Sequence, residues 1–287
     1  MLSKIRRLEV VKCAEDLVKD LRIEVFPVDP IRIARDRGIT VQSWRPSKKG
    51  VSGFLMKNGD AFGISYSSFI ANQGFINFTV GHELGHYFLP GHVDQLFAEG
   101  VSIHYSQSGF ISNDHCEKEA DLFSATLLMP DSLFRKAAHT SGDGFQAIEK
   151  LAGLCVTSMT ATAIRYAELS ENPVAVILSE AGGVQFCCLS DVLRERQGLT
   201  WPNRGDPIPA TTATADFQKA PENVARGAKA NGFSMLDDWF EGAPRLEMKE
   251  DVVGLGNYGK TLTILFSDEE VEEVDEDDVG WKPRWER

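Results

Sequence analysis

The sequence of 287 residues predicts an α+β fold, with helices concentrated in the first part of the chain and strands in the last. Residues 4–22 repeat apolar side chains at helical spacing and predict an amphipathic helix. Two runs rich in branched and aromatic residues flank Asn58-Gly59, a pair typical of the turn of a β-hairpin. Two further pairs of strand-like runs follow. We therefore expect a first domain over residues 1–140, a helical segment over 141–171 and an α+β or mostly β module over 172–287.

Helix-capping residues and the Pro and Gly residues that end helices predict the remaining elements of the first part. We expect a short helix from Pro30, a strand near Ile39–Val41, a helix from Gln73 to Leu89 that ends at Pro90-Gly91, and a helix from about Asn113 to Pro130. A helical pair is expected over residues 145–170, and the Pro- and Thr-rich stretch at 201–218 is expected to be a loop.

The charge of the chain argues against a protein that binds nucleic acid over a large surface. The net charge is −12, and residues 268–278 hold nine acidic side chains, which leaves about −3 for the rest of the chain. A large nucleic-acid footprint needs clustered Lys and Arg, so direct nucleic-acid binding is not expected. The acidic tail is expected to be solvated, and the alternative is an intramolecular mimic of an acidic or extended partner.

Hydrophobicity and cysteine spacing indicate where in the cell the protein is expected. Apolar runs of roughly 18 residues, as a membrane span needs, are absent, and the N-terminus does not look like a secretory signal. The five cysteines show no C-x-x-C spacing, which fits a reducing compartment. We therefore expect a cytoplasmic protein that does not contact membranes.

The most informative stretch is TVGHELGHYFLPGH, residues 79–92, which contains the pattern His-Glu-x-x-His. On a helix, His82 and His86 share one face and can both bind one metal ion, at about 2.0–2.1 Å for zinc. Glu83 flanks the metal, where a base for a metal-activated water is needed. All six histidines lie within residues 82–139. The sequence therefore predicts a metal site with His82 and His86 as ligands and Glu83 as the catalytic base.

Two residues compete to be the third ligand. His92 has the spacing of the long metzincin motif, but Leu89 stands where that motif has the glycine that turns the chain. Glu117 shares a helical face with Asp121, so that one carboxylate can bind the metal while the other orients a ligand histidine. A capping box that starts at Asp114 is the purely structural explanation for Glu117. We favour Glu117, with Asp121 behind a histidine, and keep His92 as the alternative.

At this point the chain resembles the ImmA/IrrE metallopeptidases. The resemblance rests on FINFTVGHELGHYFL, on EKEADLFSATLLMP and on AIEKLAGLCVTSMTATAIRYAEL, within about residues 5–170. It implies a zincin-like core with a small N-terminal sheet over residues 1–140, followed by a helix-turn-helix-like segment over 141–171. It also implies a metal ion held by His82, His86 and Glu117; these ligands suit Zn²⁺, with Mn²⁺ as the alternative. Some relatives carry a GAF-like sensor after this region, which would make residues 172–287 regulatory; no residues here establish one.

The resemblance further implies a cytoplasmic endopeptidase that cuts a helix-turn-helix (XRE-type) repressor in a stress or mobile-element response. The repressor is expected to be encoded by a neighbouring gene. His104, Tyr105 and His115 are candidate donors for the oxyanion. The strand that ends at Tyr66 is expected to receive the substrate as an added strand.

Two alternatives to the peptidase stay open. The first is a non-catalytic, metal-dependent partner of a repressor or antitoxin. The second is a DNA-binding protein that uses the helical pair, although its stretch TSMTATAIRYAELS contains a single Arg and no Lys.

Overall fold

The computed structural model describes residues 2–45, 50–69, 71–98, 102–107, 114–196 and 198–268. Its Cα positions divide the chain into two compact units, Met1–Leu169 and Ser170–Arg287. Mixed helices and sheets confirm the α+β fold class predicted from the sequence. Most of the predicted acidic tail lies outside the described residues, since only Asp268 of residues 268–278 belongs to them.

The first unit contains eight helices and four strands among its described residues. In chain order they are α1 Lys4–Asp20, α2 Pro30–Asp36, β1 Thr40–Trp44, β2 Val51–Asn58, β3 Ala61–Ser67, α3 Gln73–Phe88, α4 His92–Leu96, β4 Ile103–Gln107, α5 His115–Leu128, α6 Asp131–Ala138, α7 Gly144–Cys155 and α8 Met159–Leu169. These bounds agree closely with the expected first helix, the helix from Pro30, both long helices and the helical pair.

The four strands form one sheet in the order β1-β3-β2-β4. Strands β2 and β3 are antiparallel, and Asn58 pairs with Ala61, so the expected hairpin around Asn58-Gly59 is confirmed. The expectation that the strand ending at Tyr66 receives a substrate is wrong. That strand, β3, is central and pairs with β1 on one side and β2 on the other, so its backbone groups are already used. Strand β4 lies at the edge of the sheet instead.

Close packing of α3 against α5 brings the His-Glu-x-x-His motif of α3 next to the helix that carries Glu117 and Asp121. A Cβ atom on Gly81 would lie 2.5 Å from the Ser124 hydroxyl, and one on Gly85 would lie 3.0 Å from the Ala120 Cα. Glycine at two positions one turn apart therefore lets the two helices approach closely. The remaining sides of α3 and α5 meet α1 and the sheet in one core that includes Leu84.

The helical pair α7–α8 packs against the rest of its own unit. Arg165, the single basic residue of the stretch considered for DNA binding, is 4% exposed. Its side chain donates to the Met129 carbonyl at 3.0 Å and is ion-paired with Asp131. Within the described residues no single helix is long and apolar enough to cross a membrane, and α7 and α8 pass that test only as a pair bent by 112°.

The second unit is built on a five-stranded antiparallel sheet in the order β6-β5-β9-β8-β7. Its elements are β5 Val174–Glu180, β6 Gly183–Leu189, α9 Asp191–Arg194, α10 Ala213–Gln218, α11 Pro221–Ala225, β7 Lys229–Met235, α12 Leu236–Trp239, β8 Glu247–Gly254 and β9 Lys260–Phe266. The stretch expected to be a loop ends in α10, because Thr212 caps that helix by accepting from the Ala215 N–H.

Candidate metal centre

Helix α3 places the two motif histidines side by side in the interior. The Asn72 side chain caps the helix by accepting from the Phe75 N–H at 3.0 Å. One turn of helix separates His82 from His86, and their Nε2 atoms lie 3.0 Å apart. His82 is 5% exposed and His86 is fully buried. The two imidazoles therefore present one nitrogen each to a common point that is shielded from solvent.

Glu117 reaches the same point from α5. Its Oε2 atom lies 3.5 Å from His82 Nε2, and its Oε1 atom lies 3.3 Å from His86 Nε2. Ligand atoms at about 2.0–2.1 Å from a tetrahedral ion are separated by about 3.3 Å from each other. The three separations of 3.0, 3.3 and 3.5 Å fit that geometry, so His82, His86 and Glu117 could together hold a metal ion.

The same helix orients one of the histidines. Asp121 Oδ1 lies 2.8 Å from His82 Nδ1, one turn after Glu117. Glu117 does not act as the last residue of a capping box, because its side chain points to His82 and His86. Asp114 caps α5 by accepting from the Cys116 N–H at 2.8 Å.

The charges around this point favour a cation. Burial lowers the pKa of His82, but hydrogen bonds with Asp121 and Glu117 outweigh burial and raise it above its ordinary value. Burial lowers the pKa of the neighbouring His86. Burial raises the pKa of Glu117, but the three neighbouring histidines, His104, His82 and His86, hold it well below its usual range. The cluster therefore combines an ionised carboxylate with a preference for one positive charge between the imidazoles.

Glu83 is the unusual residue of the site. It is 0% exposed, and neither carboxylate oxygen has a hydrogen-bond partner among the residues that the structure describes. Burial raises the pKa of Glu83 to about 7, although the nearby His82 acts in the opposite direction. A buried carboxylate without partners costs folding free energy. An unpaired buried carboxylate beside the cluster of His82, His86 and Glu117 is typical of a group that acts on a bound ligand.

His92, the alternative third ligand, lies behind His86. Its Nδ1 atom is 3.0 Å from His86 Nδ1, on the side of the ring opposite the Nε2 atom that faces Glu117. The chain stays extended at Leu89 and turns only at Gly91, which has a φ of +85°. The turn therefore comes too late to bring His92 to the point that His82 and His86 share.

The three candidate oxyanion donors occupy different places. His104 Nε2 lies 2.9 Å from Glu117 Oε1, and its ring is 4.8 Å from that of His86. Tyr105, the next residue on β4, is 51% exposed and packs on Phe54 with ring centroids 5.4 Å apart. His115 is exposed at the start of α5. Strand alternation puts His104 at the site and directs Tyr105 to the other face of the sheet.

Sequence reasoning missed three residues near the centre. Ser106 lies two places after His104 on β4 and therefore shares its face, beside Glu83. Glu119 accepts from His92, and Arg6 of α1 donates to Glu119. Ser106 could have been found from the sequence, because residues two apart on a strand share a face and His104 was already a candidate. No local pattern indicates that Arg6 belongs to a site 76 residues or more further along the chain.

Comparisons with known proteins agree with this geometry. Residues 76–164 match the IrrE N-terminal-like domain family, Peptidase M78, a segment that contains His82, His86 and Glu117. A transcriptional regulator of Mycobacterium tuberculosis has a similar structure, with a TM-score of 0.55 and 14% sequence identity over 90% of this chain and 76% of that chain. At this identity the similarity concerns the fold alone. No curated protein matches the chain. The match over residues 76–164 confirms the resemblance to the ImmA/IrrE family.

Proposed function

We propose that the protein is a zinc-dependent endopeptidase that hydrolyses a peptide bond in a helix-turn-helix (XRE-type) repressor. One observation carries the peptidase part: Glu83 is fully buried, without a hydrogen-bond partner among the described residues, beside a cluster that fits a metal ion. The repressor substrate, the stress or mobile-element setting and the cytoplasmic location rest on the resemblance to the ImmA/IrrE family.

Two histidines and one carboxylate form a donor set that suits Zn²⁺ in a catalytic site, with Mn²⁺ as the alternative. His82, His86 and Glu117 would hold the ion. When bound, it supplies Lewis-acid chemistry, which lowers the pKa of a water to about 7 and polarises a peptide carbonyl.

The protein's own groups supply the proton transfers. Glu83, with a pKa raised to about 7 by burial, is able both to accept a proton from the attacking water and to return it to the leaving amine. Such a role typically contributes about 10²–10⁴-fold to a rate. His104, next to Glu117, is the best-placed donor for the oxyanion among the three candidates.

Strand β4 is the best candidate for binding an extended peptide. Its described residues pair with β2 on one side, and β4 occupies the edge of the sheet. An exposed edge offers backbone donors and acceptors to an added strand. Because His104 belongs to β4, a peptide added there would pass beside the cluster.

The decisive experiment compares the wild-type protein with Glu83→Gln, incubated with the repressor encoded beside the gene, with Zn²⁺ or with Mn²⁺. We expect the wild-type protein to cut the repressor, and Glu83→Gln to bind the same amount of metal and leave the repressor intact. Glu222→Gln, an exposed position of the second unit, is the matched control and should cut normally. If the wild-type protein leaves the repressor uncut with both metals, the peptidase proposal fails.

The same experiment separates the alternatives. Metal-dependent co-purification with an uncut repressor would favour the non-catalytic regulator. Against that alternative stands Glu83, which metal binding alone does not require. DNA binding by α7–α8 is disfavoured, because Arg165 is buried and paired inside the first unit.

A further inference from the structure

A histidine that binds a metal ion through Nε2 in the neutral form carries its proton on Nδ1. That N–H needs an acceptor when the ring is buried. His82 has one in Asp121. His86 is fully buried, and the atom beside its Nδ1 is Nδ1 of His92, at 3.0 Å. The acceptor for His86 is therefore another histidine.

Two ring nitrogens at this distance form a hydrogen bond only if one donates and the other accepts. The far side of His92 decides the direction. His92 Nε2 lies 2.9 Å from Glu119 Oε2, a carboxylate that can only accept when it is ionised. His92 therefore carries its proton on Nε2, and its Nδ1 accepts from His86. The reverse arrangement would turn a lone pair of neutral His92 towards the carboxylate and would put the His86 proton where a metal ion binds.

Glu119 is itself held from the N-terminal helix. Arg6 Nη2 donates to Glu119 Oε2 at 2.6 Å, and Arg6 Nη1 donates to Glu9 at 3.0 Å. His92 is 2% exposed and Glu119 is 6% exposed, so water does not readily replace either partner. His86 therefore donates to His92, and His92 donates to the Glu119 carboxylate. The Arg6 guanidinium donates to the same carboxylate and holds it in place.

We propose that His92, Glu119 and Arg6 are positioning residues that hold the His86 ring in its Nδ1–H form, with Nε2 free for a metal ion. The proposal rests on the metal site of the proposed function. It makes α1, which supplies no ligand, a determinant of metal affinity.

The first test is made on the full-length, metal-free protein and asks which ring nitrogen carries the proton. Long-range ¹H–¹⁵N correlation spectra assign the tautomer of each histidine. We expect Nδ1–H for His86 and Nε2–H for His92. A spectrum with His86 protonated on Nε2 and His92 on Nδ1 would overturn the proposal, whether or not the protein is a peptidase.

The second test measures the zinc dissociation constant by competition with a chelator. Loss of a hydrogen-bond partner behind a metal ligand typically costs about 10–100-fold in affinity. We expect a loss in that range for His92→Phe and Glu119→Leu. His92→Gln should retain most of the affinity, because its amide can accept from His86 and donate to Glu119. Unchanged affinity in His92→Phe would refute the positioning role.

Arg6 has a matched control on the same helix. Arg7 forms an equivalent ion pair with Glu168 in the same unit, away from the histidines. We expect Arg6→Gln to weaken zinc binding several-fold and to alter the visible spectrum of the Co²⁺-substituted protein, while Arg7→Gln leaves both unchanged. Equal effects of Arg6→Gln and Arg7→Gln would contradict a positioning role for Arg6 and would show that it only stabilises α1. If the wild-type protein binds no zinc, the proposed function fails, and the tautomer measurement still decides on the hydrogen-bond direction.

Discussion

The Nδ1 atom of His82 lies 2.8 Å from Oδ1 of Asp121, although the two residues are 39 positions apart in the chain. A neutral imidazole whose Nδ1–H is held in this way presents the Nε2 lone pair to a metal ion. Asp121 lies one helical turn after Glu117, so α5 supplies both a candidate ligand and the residue that orients another ligand.

Removal of the Asp121 carboxylate should weaken metal binding without abolishing it. We expect about 10–100-fold weaker zinc binding for Asp121→Ala and a smaller loss for Asp121→Asn, whose amide oxygen can still accept. Chelator competition measures the dissociation constants. Asp94→Ala, an exposed position on α4, serves as the control. Equal affinities for Asp121→Ala and the control would show that His82 needs no partner.

Metal content decides between Glu117 and His92 as the third ligand. Glu117→Ala should lose zinc affinity by more than the roughly 100-fold that loss of a hydrogen-bond partner can explain. His92→Ala should still bind one equivalent when zinc is in excess, because His92 lies behind His86. Dialysis followed by elemental analysis measures the stoichiometry. Retained zinc in Glu117→Ala together with loss in His92→Ala would reverse the assignment.

A side chain at Gly85 should separate α3 from α5. The added Cβ would lie 3.0 Å from Ala120 Cα and 3.2 Å from Ala120 O, which are backbone atoms that cannot rotate away. We expect Gly85→Ala to lower the free energy of unfolding by about 1–3 kcal/mol and to weaken zinc binding, because Glu117 moves with α5.

The matched control for Gly85 is Gly153, in the last turn of α7. No atom lies within 4 Å of a Cβ built there among the described residues. Gly153→Ala should raise the free energy of unfolding by about 0.5–1 kcal/mol through helix propensity alone. Chemical denaturation measures both variants. A stabilised Gly85→Ala would contradict the close approach of the two helices.

The buried Glu83 should make the metal-free protein less stable as the pH rises. Its pKa is raised to about 7 in the folded protein from an ordinary value near 4.5. Between these values the folded state binds more protons than the unfolded state, so the free energy of unfolding falls with increasing pH. Relative to the wild-type protein, Glu83→Gln should gain about 2–3 kcal/mol between pH 5 and pH 8.

Denaturation of both metal-free proteins at the two pH values measures this effect. The comparison uses the change with pH, so the intrinsic cost of a buried amide cancels. A difference between the two proteins that stays constant from pH 5 to pH 8 would mean that Glu83 titrates like an exposed carboxylate.

His104 should affect turnover more than metal binding. We expect His104→Ala to lower kcat by about 10²–10³-fold on any peptide that the wild-type protein cuts, if it stabilises the oxyanion. The metal content should remain, since the three ligands stay in place. Tyr105→Phe, on the opposite face of β4, should cut at the normal rate. A His104→Ala variant with full activity would exclude that role.

Much of this arrangement could be predicted from local patterns. Helical spacing indicated α3 and α5, and the pair Asn58-Gly59 indicated the hairpin. Four-residue spacing was enough to put His82 beside His86, because side chains one turn apart share a face. The same rule placed Asp121 with Glu117. These predictions depend only on the geometry of a single element.

Tertiary packing decided what lies between elements. The sequence suggested β3 as the strand that receives a substrate, but strand order is set by pairing between distant segments, and the edge strand beside the site is β4.

His92 had the spacing of a ligand, yet the late turn at Gly91 puts it behind His86. The link from Arg6 through Glu119 to His92 joins three elements and has no local signature. The sequence by itself therefore determined which candidate site residues share a helical face, because their spacing along one helix is a local property. Only the tertiary structure decided which of them meet and which support the others, because that depends on contacts between segments far apart in the chain.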